Sequence, residues 1–278
     1  MRSAVGKSEV IDVTAPQGGQ DVSGQYTHGH HESVLRAHRW RTAQNSAGYL
    51  LPRLTPGMSI LDVGCGPGTI TVDLAGLVAP GRAVGMDADT DVISQASALG
   101  SRAEFIVGDA YALPFADDEF DVVHAHQVLQ HLARPVEALR EWRRVAGLVA
   151  VREVDYAGVV IHPLSDGLRA WADLYQRVHR SSVGEPDAGR RLKQWAREAG
   201  FTDVSVGASL WVFENPEDRA WWGGLWAERV IASSFAIAAT DRGLATSDEL
   251  NAISAAWRQW ASDEDGWLAM PHGELLGF

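Results

Sequence analysis

Three glycines, at 64, 66 and 68, stand in the run Ile60-Leu61-Asp62-Val63-Gly64-Cys65-Gly66-Pro67-Gly68-Thr69. Such a turn lets a ligand approach the backbone closely, because no Cβ intervenes and positive φ costs little. A helix starting behind it would turn free N–H groups towards the loop. The spacing is G-x-G-x-G; Thr69 stands where the dinucleotide fingerprint G-x-G-x-x-G places its third glycine. Asp62 precedes the turn, and Asp87 lies nineteen residues beyond Gly68, where an acid accepts hydrogen bonds from ribose hydroxyls. His126 and Gln127 close a later apolar run, at the strand end where open α/β sheets take ligands. Together these residues suit nucleotide binding.

Other reactive side chains are less telling. His28, His30 and His31 could hold zinc or iron, but only Glu32 stands near, and a helix start would scatter the imidazoles. Capping or pocket-lining roles are preferred, and no metal is expected. Cys65 is the single cysteine, so no intrachain disulfide can form. It is read as a small residue that fits the turn, not as a reactive thiol.

The elements that must position these residues alternate strand and helix. Strands are expected at 58–63, 83–87, 103–107, from 120 to about His126, and at 148–154, with Asp155 and Tyr156 at the end of the last. Helices are expected at 69–78, 89–99 and from Pro135, an apt first helical residue. Beyond 163 come two more, carrying Leu168, Trp171, Tyr175 and Val178, then Leu192, Trp195, Ala196 and Ala199, the latter stopped by Gly200. A sixth strand at 201–213 and a seventh, antiparallel, at 266–278 enclose a two-helix insertion, 215–262. Seven of the eleven tryptophans lie beyond residue 200. Large rings there fill the gap under a helical layer, and some line a hydrophobic substrate pocket.

The bulk numbers bound the rest. A chain of 278 residues, 46% apolar, suits one large domain with an elaborated cover. Its formal net charge of −12 argues against nucleic acid as a partner. No run reaches membrane-spanning length, and the first 25 residues show no signal-peptide pattern. A cytoplasmic protein acting on a small molecule is expected, with residues 1–25 a flexible tail. The sequence is silent on oligomeric state.

From residue 58 to about 155 the sequence resembles the class I S-adenosylmethionine-dependent methyltransferases, in their small-molecule, UbiE-like form. The first motif of that family reads like Leu61 to Gly68, and Gly108-Asp109-Ala110 after the third strand is similar to its adenine-binding step. The resemblance implies an α/β, Rossmann-like seven-stranded sheet of order 3-2-1-4-5-7-6 spanning 26–278, helices on both faces, and a helical lid that includes a helix at 30–51. It implies S-adenosylmethionine as cofactor, held by Tyr26 and His31 from the lid and by Asp62, Gly64, Cys65, Gly66, Asp87, Ala88, Asp109, Ala110, His126 and Gln127. His126 is also the first candidate for a general base, ahead of His30, His31 and His272, while His131 is read as a packing residue. The Tyr26-Thr27-x-Gly-His-His-Glu start, Trp40-Arg41-Thr42, the stretch from Gly184 to Leu192, Asp265-Gly266-Trp267 and His272-Gly273-Glu274 resemble bacterial and fungal enzymes that cap thiols of dithiol natural products. That pattern implies a thiol acceptor. A hydroxyl or quinone carbon is the alternative acceptor. An NAD-dependent oxidoreductase, or a cofactor-binding relative without methyl transfer, would be of another class.

Overall fold

The computed structural model describes residues 39–278. The expected tail, Tyr26, and the histidines at 28, 30 and 31 lie outside the described residues. Eight strands build one sheet: β1 (Ile60–Val63), β2 (Ala83–Asp87), β3 (Glu104–Val107), β4 (Phe120–His126), β5 (Ala146–Val154), β6 (Val160–His162), β7 (Val204–Phe213) and β8 (Trp267–Gly277). Their order is β3-β2-β1-β4-β5-β8-β6, with β7 on the other edge of β8. Strands β1 to β5 are parallel, and β8 runs antiparallel to all three of its neighbours. The fold is the expected Rossmann-like class.

The helices are α1 (Ala43–Ser46), α2 (Thr69–Val78), α3 (Thr90–Ser97), α4 (Pro135–Val145), α5 (Asp166–Ser181), α6 (Ala188–Ala199), α7 (Pro216–Ala232), α8 (Ser234–Asp241) and α9 (Ser247–Ser262). Strands β1, β4 and β5 are buried on both faces, as near-continuous apolar runs in parallel sheets must be. One face packs on α4 and α6 around Trp142, Leu192 and Val149. The other packs on α2 and the 43–54 segment. A third cluster, around Trp171, Trp222, Trp226, Trp257 and Trp260, sits under the inserted helices.

Three expectations need correction. The sheet has an eighth strand, β6, which pairs with Trp267, Leu268 and Ala269 of β8. That half of β8 lies beyond the reach of β5, whose pairing stops at Val154 opposite His272. A run of only three residues gave no alternation to read. The insertion holds three helices, because Ser233 adopts extended geometry, ends α7, and accepts from the Phe235 amide to start α8. The expected helix at 30–51 is interrupted within its described part. Thr42 is extended and forms a capping box with Asn45, so the chain restarts as α1, and a 3-10 turn follows at Leu51–Arg53.

Candidate active site

A cavity of about 410 Å³ opens at the carboxyl ends of β1, β2 and β4, the edge where parallel sheets of this kind take ligands. Its volume suits a nucleoside-sized ligand with room beside it. Two halves differ in chemistry.

The first half is built on the glycine turn. Gly64, Gly66 and Gly68 have φ of 67°, 55° and 83°, which only glycine adopts cheaply. The Gly64 and Cys65 amides both donate to the Met86 carbonyl, anchoring the turn to β2. Gly68 begins α2 with no side-chain cap, so the helix presents amide donors at the turn. Asp87 ends β2; its Oδ2 accepts from the Gly66 amide at 3.0 Å and its Oδ1 from the Asp89 amide at 3.1 Å. This places the carboxylate at the cavity floor beside Ala88. Gly108 and Ala110 form the far wall. A Cβ on Gly108 would come within 2.4 Å of the Met86 sulfur, and Trp142 Nε1 donates to the Ala110 carbonyl at 2.9 Å, fixing that loop.

Several expected residues thus come together: Asp62, Gly64, Cys65, Gly66, Asp87, Ala88, Ala110, His126 and Gln127 all line the cavity. Their side chains do not all face a ligand. Asp62 is buried and committed: its Oδ1 accepts from His124 Nδ1 at 2.7 Å and its Oδ2 from Thr71 Oγ1 at 2.6 Å. It stiffens the strand beneath the turn. Burial, with Asp62 and Asp87 nearby, pushes the Cys65 thiol far up, so it stays protonated and inert. Asp109 does not reach the cavity wall; its carboxylate is exposed and accepts from the Tyr111 amide at 2.9 Å, an Asx turn.

The second half is aromatic. Trp40, Trp211, Trp222 and Tyr156 line it, with Met270. Trp40 lies 5.1 Å, centroid to centroid, from Trp211 and from Trp221. His126 reaches the same space and packs 5.5 Å from Trp211 and 6.0 Å from His272. Neither ring nitrogen of His126 has a hydrogen-bond partner among the described residues. Burial, reinforced by Arg41 and Arg152, holds its pKa well below the ordinary imidazole value. The ring is therefore neutral and a weak base where it faces the cavity. His272 is likewise buried and neutral. His131, expected as a packing residue, packs edge-on against His179 at 5.1 Å and also lines the cavity.

Sequence reasoning missed Arg41, Gln130, Trp211, Met270 and Arg229 as cavity residues. For Arg229 a signal existed: it stands seven residues from Trp222 and three from Trp226, on the apolar stripe of α7 that Arg219 shares. For Arg41 the pointer was the Trp40-Arg41-Thr42 resemblance, which carried no position in the cavity.

Comparison with known proteins places this geometry. Residues 61–147 match the family model described as a methyltransferase domain. The chain is 31% identical over 267 residues to an uncharacterized methyltransferase of Schizosaccharomyces pombe, covering 90% of this chain and 95% of that one. It is 28% identical to a probable methyltransferase of Aspergillus luteorubrus, covering 92% and 98%. Among solved structures, a phosphoethanolamine N-methyltransferase of Haemonchus contortus, in complex with phosphomonomethylethanolamine and S-adenosylhomocysteine, superposes with a TM-score of 0.50 at 18% identity, covering 82% of this chain and 51% of that one. With a methyltransferase relative matched over nearly the full length of both chains, and a glycine turn and Asp87 carboxylate at the strand ends, the chain belongs to the S-adenosylmethionine-dependent methyltransferases.

Proposed function

We propose that this enzyme methylates a compact, largely apolar small molecule, and that the favoured acceptor atom is a thiol sulfur. The cofactor supplies an activated methyl group on a sulfonium centre. The turn at Gly64 and Gly66, the Asp87 carboxylate and the Gly108–Ala110 wall would hold it. The chain's remaining work is to align a nucleophile, exclude water and deal with one proton.

One observation carries the thiol reading. The histidine nearest the acceptor chamber, His126, is buried, without a hydrogen-bond partner and kept neutral far below its usual pKa. A base so weakened gives a hydroxyl nucleophile little help. The chamber therefore suits a nucleophile that ionises by itself near neutral pH, as a thiol with an ordinary pKa of about 8.5 does. The walls of Trp40, Trp211 and Trp222 suit a flat ring carrying that thiol.

Matched aryl thiol, phenol and hydroquinone acceptors, assayed with S-adenosylmethionine, test the reading. The thiol is expected to show kcat/KM at least about tenfold above its phenol partner, a difference near 1.4 kcal/mol in the barrier. Faster methylation of the phenol oxygen or of a ring carbon would overturn it.

A further inference from the structure

His126 ends β4 with its backbone in the parallel ladder, opposite Arg152 of β5, and its ring lines the aromatic half of the cavity. Two neighbours hold the ring. Trp211 lies 5.5 Å away, centroid to centroid, and His272 stacks at 6.0 Å. Both neighbours are themselves fixed. Trp211 Nε1 donates to the Asn45 carbonyl at 2.7 Å, and the Trp211 and His272 rings lie 4.4 Å apart. His272 Nδ1 donates to the Met270 carbonyl at 3.1 Å, and its Nε2 accepts from Gln127 Nε2 at 2.9 Å.

Other buried imidazoles of this chain spend their nitrogens on the protein. His124 Nδ1 bonds Asp62 Oδ1 at 2.7 Å, His179 Nε2 donates to the Gln130 carbonyl at 3.0 Å, and His272 uses both nitrogens. Among the described residues, His126 finds a partner for neither. A neutral imidazole always carries one N–H. A buried N–H without an acceptor bears its full desolvation penalty, and natural folds rarely leave one so. The packing does not ask for that penalty, because a phenyl ring would fill the same space against Trp211 and His272 without it. The same half of the cavity holds a second such donor, the Trp222 indole N–H, buried and without an acceptor. The Gln130 side-chain oxygen is also unpaired there, but an under-satisfied carbonyl is tolerated more readily than an orphaned N–H. A chamber with unmet donors is complementary to a ligand that brings lone pairs.

We propose that the acceptor carries a carbonyl oxygen set apart from the atom that is methylated, and that the His126 ring N–H donates to it, fixing how the acceptor lies towards the methyl group. His126 is then a binding residue: it takes no proton, and no covalent step passes through it. Neither nitrogen is tied to the protein, so the tautomer follows the side from which the carbonyl approaches. The ring is already packed, so little ordering accompanies the contact. Specificity follows, because a site built to hydrogen-bond its ligand rejects an analogue lacking that group more strongly than an apolar wall rejects a small change of shape. The role rests on the methyl-transfer reading for the identity of the chamber, and it holds whether the methylated atom is sulfur, oxygen or carbon.

The test uses methylated products, which neither ionise nor turn over. Para-acetylthioanisole and para-ethylthioanisole match in shape apart from the carbonyl oxygen, and both are titrated calorimetrically onto the full chain saturated with S-adenosylhomocysteine. Their methyl-ether counterparts, para-acetylanisole and para-ethylanisole, form a second pair. In at least one pair, wild type is expected to bind the acetyl compound at least about tenfold more tightly, although the ethyl compound is the more apolar. His126→Phe, which keeps the ring volume and removes both nitrogens, should bring the two compounds within about threefold, chiefly by weakening the acetyl compound. Infrared difference spectra of the wild-type complex need no variant: the carbonyl stretch of the bound acetyl probe should lie below its frequency in an apolar solvent. A smaller preference in both pairs overturns the proposal. So does a preference unchanged in His126→Phe, an unshifted carbonyl stretch, or failure of all four compounds to bind. A His126-dependent preference in the ethers, with no binding of the thioethers, contradicts the thiol assignment and leaves the role of His126 standing.

Discussion

Asp87 and the turn glycines were legible because their meaning is local. The distance from Gly68 to Asp87 is set by one helix and one strand, so spacing alone brings the carboxylate under the turn. Gly64 shows the margin. It holds φ at 67°, and a Cβ there would lie 2.4 Å from Val128 Cγ2 and 3.2 Å from Cγ1. A β-branched neighbour has few rotamers with which to yield. Gly64→Ala is expected to lose about 1–3 kcal/mol of stability through backbone strain and to bind S-adenosylhomocysteine at least about tenfold more weakly, read by thermal unfolding and calorimetry. Unchanged values for both would mean that the turn tolerates a side chain. Arg41 was illegible for the converse reason. Its side chain meets Gln127, 86 residues further along the chain, and no local spacing announces that pairing. At Asp109 the spacing left two uses open, since an acid after a strand serves an Asx turn as readily as a ligand, and its Oδ1 accepts from the Tyr111 amide.

The 3-10 turn at Leu129–His131, which follows β4 and carries Gln130 and His131 into the cavity, is held on its amide side by one buried carboxylate, while His179 Nε2 donates to the Gln130 carbonyl at 3.0 Å. Glu153 of β5 accepts from the amides of Val128 at 2.7 Å and Leu129 at 2.6 Å, and more distantly from Gln130 at 3.4 Å. Burial pushes its carboxyl up to about 8, with the three amides pulling the other way. A folded pKa raised above the unfolded value means that the fold favours the protonated form. The associated stability is complete below about pH 4.5 and is lost as pH rises through 8. Glu153→Gln, which keeps the acceptor and removes the charge, should match wild type near pH 4 and exceed it by a widening margin towards pH 9 in denaturant midpoint. Glu153→Ala should fall below both at each pH by about 2–4 kcal/mol, since it strands buried amide donors. A wild type that gains on Glu153→Gln as pH rises would contradict this. The elements themselves were largely readable from hydrophobic period and caps. The three-residue β6 and the break at Ser233 were not, because both are fixed by what β8 and α7 pack against.

Across the molecule the aromatic residues divide between two tasks. Trp171, Trp226 and Trp257 are fully buried and pack together, Trp171 edge-on to the other two and Trp226 stacked on Trp257, building the core that seats α7 to α9 on the sheet. Trp40, Trp211 and Trp222 line the chamber that this core supports. Composition predicted both uses but could not sort the rings, since burial of a tryptophan and exposure to a cavity look alike in sequence. No helix among the described residues is long and apolar enough to cross a membrane. The architecture therefore presents one cavity edge with a cofactor half shaped by glycines and an acceptor half shaped by tryptophans and guanidiniums. The most direct test is calorimetric titration of the whole chain with S-adenosylhomocysteine and, separately, with NAD. Saturable one-to-one binding of S-adenosylhomocysteine, weakened at least about tenfold by Asp87→Ala, with no saturable heat from NAD, is the predicted result. Saturation by NAD with none by S-adenosylhomocysteine would contradict it.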